Sequence, residues 1–138
     1  MWSQRASRYH DHTAYEQSDG DEASEAGAAR LARGMGDKWL VLLHNHGAVV
    51  CGTTIQDAYI HNHFLELACR SQIGALAGGS ELITPSHELC EERVKMFGRV
   101  GLYDATSRDW VAGLALVEQK SQDYTIYIHR KALLPPSP

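Results

Sequence analysis

At 138 residues, 43% of them hydrophobic and 22% charged, the chain has material for one modest core. Its net charge of -4, with lysines and arginines scattered singly, gives no basic face for a phosphate backbone and disfavours nucleic-acid binding. No apolar stretch is long enough to span a bilayer, the first residues do not read as a signal segment, and Cys51, Cys69 and Cys90 are odd in number and widely spaced, so the expectation is a cytoplasmic protein with reduced core thiols.

Residues 1–20 show no sustained period and read as an irregular edge strand followed by loop, with Tyr9-His10-Asp11-His12 as their most polar aromatic stretch. From Asp21 the acids come early and Arg30 and Arg33 come late, which matches a helix dipole and predicts a helix over 22–35 that stops at Gly34 or Gly36. Trp39–Leu43 is a continuous apolar run of strand length, suited to a strand covered on both faces. A second short strand is expected at Ala48–Cys51, with His44-Asn45-His46-Gly47 as the turn between the two. Thr53 or Thr54 caps a long helix, Ile55 to Leu76, whose apolar stripe holds Ile55, Tyr59, Leu65, Ala68, Cys69, Ile73 and Leu76 and which ends at Gly78-Gly79. A third helix follows Pro85-Ser86 up to Gly98, a fourth lies around Trp110–Val117, and the proline-rich end is a tail.

Three histidine pairs share the spacing His-x-His. On a strand, side chains two apart share a face and can grip one metal ion; on a helix they diverge by about 200°. His61 and His63 are therefore expected to separate, one partly buried and one exposed. His10 and His12 can form a clip if their segment is extended, or can stand as unliganded loop histidines. His44 and His46 lie at a strand end beside Asn45, which tolerates unusual backbone angles, and Gly47, which permits close approach. The turn reads either as a tight hairpin with a satisfied histidine or as part of a metal or acid-base site. A metal site normally needs three protein ligands, and His46 would need partners from His10/His12, from an acid such as Glu66, or from elsewhere. The sequence contains no Cys-x-x-Cys, Walker-type loop or Gly-x-Ser-x-Gly elbow.

Leu42-Leu43-His44-Asn45-His46-Gly47, followed by Gly52-Thr53, by Asp57-Ala58 and by Leu65 to Gln72, resembles the class II aldolase/adducin domain family. The similarity reaches back through Gly36-Asp37-Lys38 to Tyr9-His10-Asp11 and forward to Trp110-Val111-Ala112 and Asp123-Tyr124. It covers residues 8–125 and leaves 1–7 and 132–138 as flexible termini. The resemblance implies an α/β fold, a three-layer α/β/α class II aldolase-like domain with a mostly antiparallel sheet. The chain is similar to its C-terminal half and so is incomplete at the N-terminus.

In such enzymes a divalent metal, usually Zn2+, sits on three histidines and stabilises the enediolate formed as a sugar phosphate or related hydroxy-carbonyl is cleaved. The third histidine corresponds to His46. The other two, the glutamate acid-base and the phosphate-binding residues fall in the half that this sequence does not resemble, so no catalytic residue is assigned within it. The resemblance thus implies a partial metal-dependent lyase, inactive as this chain alone, that assembles as a homo-oligomer. His44 stands where the family commonly has arginine. The family also includes adducins, so the alternative is a non-catalytic interaction module with a cytoskeletal partner.

Overall fold

The computed structural model describes residues 3–18 and 20–120. In chain order they form α1 (Gln4–Ser7), β1 (Thr13–Glu16), α2 (Glu25–Met35), β2 (Leu40–Leu43), β3 (Gly47–Val50), α3 (Ile55–Ala77), α4 (His87–Phe97) and α5 (Arg108–Lys120). The first four helices each start at a hydroxyl side chain: Ser3, Ser24, Thr54 and Ser86 accept the N–H of Ala6, Gly27, Asp57 and Leu89. Such a cap satisfies an amide that the helix itself cannot, and it fixes where each helix begins. It is why α2 starts at Glu25, three residues later than the charge pattern predicts.

β2 is the central strand, parallel to β1 and antiparallel to β3. Leu40 and Val41 are both fully buried, and because neighbouring strand residues point to opposite faces, the centre of the sheet is covered on both sides. On one face Leu40 packs with Ala6, Tyr9, Leu65 and Ala68, joined by Leu42 and Val50, while α2 packs against β1. The result is the expected α/β layering. The described sheet is evenly mixed, however, and only the β2–β3 hairpin is antiparallel.

In place of a flexible first segment, residues 4–7 make a helical turn with Ala6 and Ser7 buried. The anchoring comes from the residues just after it. The Arg8 guanidinium lies 3.9 Å from the centre of the Phe64 ring and donates to the Tyr103 hydroxyl at 3.0 Å, and the Tyr9 hydroxyl donates to the His61 carbonyl at 2.7 Å. These long-range partners explain why a stretch without periodicity becomes ordered. Residues 132–138 and Asp123-Tyr124 lie outside the described residues.

α3 runs nearly as predicted, but its buried face differs. Asp57, Ile60, His61, Leu65 and Ala68 are buried, whereas Ile55, Tyr59, Ile73 and Leu76 of the apolar stripe are exposed. The first turns of α3 face the polar backbone of residues 101–103 and receive its amides (below), which is why a carboxylate and an imidazole sit where hydrophobic residues were expected. All three cysteines are free, with Cys90 buried, Cys69 half-buried and Cys51, just past β3, exposed in departure from the core expectation. Among the described residues no helix is long and apolar enough to cross a membrane. In a unit that starts at Ala105, separate from Met1–Asp104, α5 places Asp109 in its first turn and Lys120 in its last, as the helix dipole favours.

Candidate functional site

The β2–β3 turn needs one residue in the left-handed region, and Asn45 supplies it at φ 54°. The His46 N–H closes the turn on the Leu43 carbonyl at 3.3 Å, and the His44 N–H donates to the Glu16 carbonyl at 3.0 Å. His44, Asn45 and His46 are all exposed. The amide of Gln17 lies 3.2 Å from Nδ1 of His44, whereas the imidazole of His46 makes no hydrogen bond to the described residues. An added Cβ at Gly47 would meet nothing within 4 Å, so the close approach that Gly47 permits is not used by this chain's described residues.

Beside the turn, Leu42, Gly47, Ala48 and Leu65 line an open hollow of about 560 Å³ that also receives Glu66 and Cys69. Glu66 is the one carboxylate among the described residues that line it, and it accepts a 2.7 Å hydrogen bond from Nε of Arg70. Burial, and secondarily the Glu66 charge, push the Cys69 thiol up, so it stays protonated and is a poor nucleophile.

The other histidines separate. His12 stacks flat on Trp39, ring centres 3.8 Å apart, and burial together with Lys38 lowers its proton affinity. His10 turns away from it and places Nε2 2.7 Å from Nδ1 of His87 at the start of α4, with Asp11 alongside. His10 and His12 therefore do not form a pair. His61 is fully buried and His63 exposed, as helix geometry requires.

Asp57 and His61 form a buried polar pair, of which the sequence marked His61 only as a helix histidine. The Asp57 carboxylate accepts the backbone N–H groups of Gly101 (2.6 Å), Thr53 (3.1 Å) and Tyr103 (3.4 Å). It thereby ties the loop after α4 to the start of α3. Nε2 of His61 lies 3.6 Å from Oδ1 of Asp57, and neither ring nitrogen makes a well-formed hydrogen bond. Burial lowers the His61 pKa, with the Asp57 charge partly opposing, and keeps the ring neutral. Tyr9, Trp39 and Tyr103 surround the ring, leaving no room for a substrate. The role of this pair is structural.

The profile of the class II aldolase and adducin N-terminal domain matches residues 2–73. The chain belongs to this family. Its match starts at residue 2, so α1, which the sequence resemblance left out, is part of the family region. Among relatives of the family member, a Caulobacter vibrioides protein named as an aldolase class 2 member is 27% identical over 95 residues, covering 69% of this chain and 37% of that protein. A Pseudomonas aeruginosa protein of the same naming is 40% identical over 55 residues, 40% of this chain and 21% of that one. Among solved structures, an aldolase II superfamily protein from Pseudomonas syringae superposes with a TM-score of 0.76 at 29% identity, covering 88% of this chain and 49% of that one. The L-fuculose 1-phosphate aldolase from Glaciozyma antarctica superposes at 0.60 and 26% identity, over 71% of this chain and 36% of that one. The chain thus spans half or less of the length of each.

A divalent-metal centre of three histidines needs two more donors beside His46. Among the described residues, the one group of three metal-capable side chains is His10, Asp11 and His87, which does not include His46. Among the described residues, therefore, no group of three metal-capable side chains forms at the turn. Sequence reasoning missed His87 and Glu91. The one local signal was their spacing of four on α4, and nothing in the sequence ties them to His10, 77 positions from His87.

Proposed function

We propose that this family member contributes the His46 corner of a metal-dependent aldolase-like lyase acting on a sugar phosphate or related hydroxy-carbonyl compound in the cytoplasm. His46 is one ligand of a Zn2+ or other divalent centre whose remaining donors come from sequence beyond this chain. The carrying observation is the Asn45-His46-Gly47 turn: a left-handed residue precedes an exposed imidazole, free of hydrogen bonds to the described residues, and the next residue, Gly47, lines an open hollow. In this reading residues 8–125 are the C-terminal part of the domain, and the chain is inactive alone. The apolar surface of Tyr15, Ile73 and Leu76, all exposed around a second hollow of about 200 Å³, favours self-association as a homo-oligomer.

The test is a panel of aldol-cleavage assays on sugar phosphates with zinc, manganese or cobalt. The chain is assayed alone and mixed with the N-terminal half of the Pseudomonas syringae relative. Turnover that needs the added half and is lost on chelation or in His46→Ala supports the reading. Turnover that survives His46→Ala overturns the ligand assignment. One observation favours a second reading, the non-catalytic adducin-like module with a cytoskeletal partner: Glu66, the single carboxylate among the described residues at the hollow, is already paired with Arg70. Silence in every arm of the panel favours that module.

A further inference from the structure

We propose that His10, Asp11 and His87 form a binding site for a divalent transition-metal ion, zinc by preference, with Glu91 orienting His87. The ligand atoms of the three residues all lie within 4.8 Å of one another. His10 Nε2 is 2.7 Å from His87 Nδ1 and 3.6 Å from Asp11 Oδ2. Asp11 and His87 are exposed and His10 is half-buried, so an ion can reach all three from solvent. The corner opens into a hollow of about 210 Å³, bounded also by Glu91 and Lys95, which leaves space for water to complete a coordination shell.

The arrangement goes beyond proximity. Nε2 of His87 lies 3.2 Å from the Glu91 carboxylate, one turn along α4. Glu91 accepts the Nε2 proton, which leaves the Nδ1 lone pair aimed at His10. A carboxylate on the far nitrogen of a histidine is the usual support for a metal-binding imidazole, because it fixes the tautomer and raises basicity. Asp11 is held in place by its backbone: it sits at φ 60°, and the Lys38 ammonium donates to its carbonyl at 2.6 Å.

Two imidazole nitrogens at 2.7 Å share one proton. An ion takes the place of that proton: the neutral His10 ring shifts to the tautomer that carries its hydrogen on Nδ1, with no net proton released, and the lone pairs of His10 Nε2 and His87 Nδ1 then both point at the metal. Tetrahedral zinc with two nitrogen ligands sets them about 3.3 Å apart, so the rings must open by about 0.6 Å. Rotation of the exposed His87 side chain is enough.

Charge decides between a cation and an anion here. His87 is the first residue of α4, and a helix N-terminus disfavours a cation, as do Lys38 and Lys95. Against them stand the two carboxylates of Asp11 and Glu91, which repel an anion and compensate an ion of charge two. Two nitrogens and one oxygen suit zinc, cobalt or nickel, and suit magnesium or calcium poorly. The bound ion would join the segment ahead of β1 to the start of α4 and close a long stretch of chain, a staple for the fold. The site involves neither His46 nor any part of the lyase reading.

The full chain, stripped with chelator, is titrated with zinc and separately with magnesium by calorimetry, with thermal unfolding followed in parallel. Saturable one-to-one zinc binding with a raised Tm is expected, and magnesium has no effect. His87→Ala weakens zinc binding by at least a hundredfold. Glu91→Gln weakens it about tenfold, the size of effect expected for a support on a ligating histidine. Asp11→Asn keeps a residue that tolerates the left-handed backbone, so the fold persists by circular dichroism while zinc binding drops. His63→Ala, at an exposed histidine outside the corner, binds zinc as the wild type does. A folded wild type with no saturable zinc binding, or zinc binding unchanged in both His87→Ala and Asp11→Asn, overturns the proposal.

Discussion

The β2–β3 turn and the corner between Asp11 and α4 each bring a histidine to the surface beside a second polar group, yet they are opposites. At the turn, the Asn45-His46-Gly47 motif is intact and ligand partners are missing among the described residues. At the corner, three donors and a supporting carboxylate converge without any motif. A motif records what a family does with a position, whereas convergence depends on which distant elements the fold packs together. The two sources of evidence need not point to the same residues.

That contrast can be broken most severely by removing the frame that α3 gives both regions. In Asp57→Ala, three backbone amides, that of Tyr103 buried and those of Thr53 and Gly101 partly buried, lose their acceptor, and a loss of about 3 kcal/mol in urea unfolding is expected. Next in size is the zinc effect itself: at zinc a hundredfold above Kd the wild type gains about 2.7 kcal/mol, as any native-state ligand does, and His10→Ala gains almost none.

A smaller effect separates metal-linked from metal-free pH dependence. The pKa of His61 is depressed below its ordinary 6.5. The unfolded chain therefore binds a proton first as pH falls, so the contribution of neutral His61 is complete above about 6.5 and is lost below it. Zinc-free wild type should lose stability from pH 7 to 5, and His61→Leu should lose less, since it removes the imidazole whose lowered pKa creates that slope. His12, whose pKa is also lowered, leaves a residual slope of the same sign. Smallest of all, His44→Arg, which touches only the exposed Gln17 amide, should change stability by no more than about 0.5 kcal/mol in a thermal melt.

Much of the fold was legible in sequence because its signals are local. Thr54 and Ser86 mark helix starts, the apolar run before His44 marks the buried central strand, and the His61/His63 spacing correctly separates those side chains. What escaped depends on contacts distant in sequence. α1 has no period of its own and is held by Arg8 and Tyr9 reaching Phe64, Tyr103 and His61. The buried face of α3 departs from its apolar stripe because Asp57 serves amides 44 and 46 positions away. The candidate site divided in the same way: the turn that carries His46 was visible as a motif, and the partner of His10 was invisible until α4 was placed beside it.

Histidine side-chain nitrogens followed by NMR during a zinc titration of the apo chain test this account most directly, because every imidazole is read at once. The predicted result is that the first equivalent of zinc shifts Nε2 of His10 and Nδ1 of His87 and leaves His46 unmoved. If His46 moves first while His10 and His87 stay still, the turn is a metal site in its own right and the contrast drawn between the two regions fails.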